Sequence, residues 1–177
     1  MRTFGPFRPH GGAAIIDQVE TAWTLVRFGH LLGVAVWIGG MVFLGAVAVP
    51  VARASGGPEA SRKLITTVAR RFAPLAGAAW LLILATGMGL IHHRGLTLGD
   101  LSATDYGQKL LAKLVILLAI GVLALVHGLW QGPSVRRAEE AGDAAAARRW
   151  KITGGVIDAL MLIGSLVALW IAASLIP

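Results

Sequence analysis

The chain has 177 residues with a mean hydropathy of +0.72; 56% of them are hydrophobic and 14% charged, against about 25% charged in soluble proteins, and this composition is that of a membrane protein. Its formal charge of +7 does not point to nucleic acid, because the lysines and arginines lie at the ends of apolar runs instead of clustering on one face of a folded domain. The absence of cysteine excludes disulfides, thiolate metal sites, iron–sulfur clusters and haem attached through a CxxCH motif, so a bound metal must use His, Met, Asp, Glu or backbone ligands.

The first stretch, "MRTFGPFRPHGGAAIIDQVE", is rich in Pro and Gly and lacks the apolar core and small-residue cleavage site of a signal peptide. It reads as a flexible, polar tail over 1–21, with room for a short interfacial helix at 13–20. A bilayer crossing takes about 20 apolar residues, and four stretches qualify: 23–49, 72–91, 110–130 and 152–176. The expected fold is therefore all-α, an antiparallel four-helix bundle occupying 22–177 in the membrane. Pro50 with Gly56-Gly57-Pro58 is expected to end the first helix and Gly132-Pro133 the third.

Lys and Arg concentrate in the first loop (Arg53, Arg62, Lys63, Arg70, Arg71) and the third (Arg136, Arg137, Arg148, Arg149, Lys151), whereas the middle loop has Arg94 and Lys109 beside Asp100 and Asp105. Short cytoplasmic loops carry the basic excess, which predicts a multi-pass cell-membrane protein with both termini on the outer, periplasmic or extracellular, side.

Counting about 1.5 Å of depth per residue then assigns each polar residue a level. His30 lies inward of the interfacial Trp23, Met88 falls at a similar depth on the second helix, His92 and His93 mark its outer rim, and Lys113 lies a turn inside Lys109. In the inner half, His127 and Asp158 share a depth on consecutive helices and are expected to pair, for structure or for proton transfer. Ionisable residues inside a membrane face the bundle interior and mark function, but each has a plainer use: a hydrogen bond across helices for His30, snorkelling for Lys113, an ordinary loop position for one of His92 and His93. Gly29 and Gly33 fit close helix approach. His30, Gly33, Trp37 and Met41 share one face, whose ring, gap and flat aromatic suit either helix packing or a planar cofactor.

"HLLGVAVWIGGMVFLGAVAVP" resembles the first helix of the copper resistance protein D (CopD-like) membrane family, "RRFAPLAGAAWLLILATGMGLI", with Thr86-Gly87 near its end, is similar to the second, and "YGQKLLAKLVILL" to the third. The likeness covers about residues 22–176. The same helices resemble the HemJ-type haem-binding membrane proteins, a likeness that matches His30 to the haem-linked histidine, Trp37 to a first-helix tryptophan and Lys113 to a third-helix lysine, while the longer tail and middle loop depart from that pattern.

Two classes of function follow. A b-type haem protein in redox or electron transfer, with an oxidoreductase activity in prospect, would use His30 as one axial ligand, Met88, His92 or His93 as the other, and Arg27, Arg94 or Lys109 toward the propionates. Copper transport or resistance would need soft ligands along a path, and only Met41, Met88 and Met161 lie within the helices. Residue chemistry favours haem b over copper. A structural subunit of a membrane complex is the third reading. The expected partners are the lipid bilayer, a redox partner or quinone, and further copies or subunits of a membrane complex; nucleic acid is not among them.

Overall fold

The computed structural model describes residues 10–54, 56–97 and 99–175. Among these it contains helices and turns and no strand, and four of its helical stretches are long and apolar enough to cross a membrane. Helix α1 (His10–Phe43) passes through a π-turn (Leu44–Ala48) into α2 (Val49–Ala54); α3 (Gly57–His93) returns; a short α4 (Asp100–Ala103) leads to α5 (Asp105–Val126), which continues through a second π-turn (His127–Gln131) into α6 (Gly132–Glu140); α7 (Ala144–Ala173) closes the bundle.

The helix starts are set by local chemistry. Thr104 caps α5 by accepting a hydrogen bond from Gly107 N at 3.0 Å, and Asp143 caps α7 by accepting from Ala146 N at 2.8 Å. In the α3–α5 connection, Asp100 accepts from the Thr97 hydroxyl at 2.6 Å and from its N–H at 2.8 Å, which together hold its carboxyl below the ordinary carboxylate range.

Two boundaries differ from the sequence reading. The first helix begins by His10, so residues 10–21 continue the first span, while the rest of the expected tail, 1–9, lies outside the described residues. Neither Pro50 nor Gly132-Pro133 ends a helix. Each proline stands two residues beyond a five-residue π-turn, and the wider turn relieves the clash between a proline ring and the carbonyl four residues before it. The first helix stops before Gly56 and Gly57, the later of the two expected signals, both at positive φ.

The helices are antiparallel. α1 packs against α3 and α7, and α7 against α5, whereas α3 and α5 do not approach within 8 Å at any pair of described Cα atoms. Close approach of α1 to α3 depends on glycine: a Cβ on Gly33 would lie 3.1 Å from Ala79 O and 2.9 Å from Ile83 Cγ1, and one on Gly40 would strike the Phe72 ring. The interior cluster is Trp37, Ala79, Ile83, Ile120 and Met161, with Met41 and Trp80 packed against it. Most other large apolar side chains face outward, as lipid requires.

Candidate functional site

His30 stands on α1 where α3 presents Thr86 and Gly87. Its Nδ1 lies 3.0 Å from Thr86 Oγ1, and a Cβ on Gly87 would be 3.3 Å from its Cε1, so the ring is clasped by α3. The network favours one tautomer. Thr86 is itself bonded to the carbonyl of Leu82, one turn back, which takes the only hydroxyl proton. Its oxygen is then left to accept, and His30 Nδ1–H donates to it. In the neutral ring that proton placement leaves Nε2 with a lone pair, and the Ile83 carbonyl is a further hydrogen-bonding neighbour of the imidazole. A ligand nitrogen whose ring is oriented through its other nitrogen is the arrangement found in metal-binding histidines.

Of the residues the sequence grouped with His30, Lys113 stands with it: it is half-buried on α5, near enough for its charge to bear on the imidazole, and is itself close to Arg94. Met88 is 70% exposed and faces away from the bundle, and His92 and Arg27 are exposed. His93 stacks on Trp23 at 3.7 Å, interplanar angle 20°, tying the outer ends of α1 and α3 together. Arg94 bonds to the Tyr106 hydroxyl. Trp37 is a core residue: its indole N–H donates to Ser165 Oγ at 3.0 Å, Ser165 donates to Met161 O at 2.7 Å, and its ring meets Trp80 edge-on at 5.4 Å.

These placements bring none of the second axial ligands named from the sequence opposite His30. The glycine face of α1 is filled by Ala79, Ile83 and Phe72 of α3, leaving no slot for a porphyrin between the two helices. Neither Met88 nor His92 comes opposite His30, and His93 is taken up by Trp23. The residues present do not fit a b-type haem at His30.

In the inner half, His127 Nε2 lies 3.5 Å from Asp158 Oδ1, with the carboxylate on the bundle's outer side, 60% exposed, and His127 Nδ1 buried without a hydrogen-bond partner. Met161 is buried one turn along α7 from Asp158, within the cluster against which Met41 packs. Counting along the helices, His30 is about 10 Å from the level of Trp37 and Ser165, Met161 about 6 Å further in, and Asp158 with His127 about 5 Å beyond that. No group of three or more His, Cys, Asp and Glu able to hold a metal occurs among the described residues.

Sequence reasoning gave no role to Thr86, Ser165, Trp80 or Glu139. Thr86 had a usable signal, since depth counting puts Thr86-Gly87 beside His30. Glu139 had none: it accepts from Lys151 at 2.7 Å and Arg62 at 3.0 Å, joining the two hairpins through residues 77 and 12 positions away.

A family model described as copper resistance protein D matches residues 66–175. The match takes in Thr86, Lys113, His127, Asp158 and Met161 and leaves α1, with His30, outside it. No curated protein and no solved structure matches the chain.

Proposed function

The chain belongs to the copper resistance protein D family, and from that membership and the setting of His30 we propose that it passes copper, as Cu(I), through the interior of the bundle. It is a multi-pass membrane protein linked to copper resistance; transport is the reading that its interior chemistry supports best. The observation that carries it is the Thr86 hydroxyl, which engages the His30 ring through Nδ1 and so orients it from the neighbouring helix. Imidazole and thioether are both acceptable to copper, the thioether especially to Cu(I). His30, Met161 and His127 supply such groups at three successive levels.

An ion must bind well enough to enter and weakly enough to leave, and a level with one oriented imidazole meets both demands. The Lys and Arg at the α2–α3 and α6–α7 turns orient that end toward the cytoplasm, so His30 serves the outer half and both termini lie outside.

Cu(I) affinity, measured in detergent by competition with a chromophoric chelator, tests this directly. Wild type should bind Cu(I) and show no intense Soret band after expression with ample haem, and His30→Ala should weaken binding about tenfold or more. Equal affinity in the two proteins, or haem bound one to one by wild type, rejects the reading.

A further inference from the structure

The basic end of the bundle is not neutralised from within. Residues 53–71 and 136–151 hold 10 of the 16 Lys and Arg against four acidic residues, Glu59, Glu139, Glu140 and Asp143. Glu139 is committed to Arg62 and Lys151. Arg137, two residues before it on α6, has no ion-pair partner among the described residues.

Arg137 stands at one side of a groove of about 280 Å³ lined also by Leu129, Trp130, Pro133, Ser134 and Trp150. Its walls are fixed by Gln131, which donates to the Trp150 carbonyl at 3.5 Å and lies against Gly154 of α7. Trp130 and Leu129 are 67% and 61% exposed. Indoles prefer the membrane–water boundary, where one end is apolar and the other wet. The groove therefore runs from the apolar side of that boundary, at Leu129 and Trp130, to a cation and a hydroxyl on its wet side.

We propose that this groove seats the headgroup of an anionic phospholipid of the adjoining leaflet. Arg137 pairs with the phosphate, which its planar guanidinium can engage through two N–H groups, Ser134 donates to a second oxygen, and the two indoles flank the glycerol backbone. The occupant follows from charge and from shape. The counter-charge must come from outside the chain, basic pockets at this kind of boundary recognise acidic headgroups, and a groove of about 280 Å³ is of a size to take one headgroup.

The test uses the full-length protein in detergent with phosphatidylglycerol or phosphatidylcholine of identical acyl chains, and counts retained lipids by native mass spectrometry. Wild type should retain phosphatidylglycerol in preference to phosphatidylcholine. Arg137→Gln should lower that retention about tenfold, as loss of one charge-assisted phosphate contact implies, while Arg71→Gln, an equal loss of charge at the same end but outside the groove, should leave it within about twofold. Phosphatidylglycerol brominated near the headgroup should quench tryptophan emission less in Trp130→Phe than in wild type. Unchanged retention in Arg137→Gln, an equal loss in Arg71→Gln, or displacement of the lipid by inorganic phosphate would each overturn the proposal.

Discussion

A neutral imidazole has one proton for two nitrogens, and at His30 the choice is made by a hydroxyl on the neighbouring helix. Thr86→Val keeps the shape and removes that acceptor, leaving Nδ1–H unpaired and the ring free to take the other tautomer. Cu(I) affinity in this variant should fall about 10- to 100-fold, the usual cost of losing a group that orients a metal ligand, with melting behaviour in detergent close to wild type; affinity equal to wild type would show that the hydroxyl orients nothing. That His30 and Lys113 come near one another was legible in the sequence because position along a helix follows a count of residues. Rotation about the helix axis was not. Met88 lies only about 3 Å in depth from Thr86 but about 200° around the helix, which turns it into lipid while Thr86 and Gly87 meet His30. Asp158 illustrates the same distinction: its level with His127 follows from counting, whereas its placement on the outer side of the bundle depends on how α7 is rotated by its contacts with α1 and α5.

Pairs of elements obey a different rule, that of how near two backbones can come. Gly33 and Gly39 look alike in the sequence, yet a Cβ on Gly33 would press on the Ala79 carbonyl and Ile83, whereas one on Gly39 would meet nothing within 4 Å. Gly33→Ala should therefore destabilise the bundle by about 1–3 kcal/mol, read as a lower melting temperature in detergent, and Gly39→Ala should be neutral. Equal effects of the two would mean that α1 and α3 are not in close contact at Gly33. The four spans were legible from hydropathy alone. Their ends were less so: the rule that proline stops a helix fails at Pro50 and Pro133, where the preceding π-turns let the chain continue.

At the scale of the whole molecule, the sequence gives the number of helices and the direction of each, but not their order around the bundle axis. That order, α3–α1–α7–α5, arises from which glycine and serine faces interlock, and it brings Trp37 of α1 onto Ser165 of α7, 128 positions away. Direction relative to the cell can be tested separately. In intact cells, Ser102→Cys should react with an impermeant thiol reagent and Glu140→Cys should not, because the basic end is drawn to the cytoplasm; the opposite pattern would invert the bundle. Transport itself is tested most directly by Cu(I) flux into proteoliposomes holding a trapped copper indicator. Wild-type protein should raise the flux well above that of protein-free vesicles, and His30→Ala, incorporated at equal density and equally folded, should lower it about tenfold or more. A His30→Ala flux equal to that of wild type, or a wild-type flux no greater than that of empty vesicles, would contradict the account.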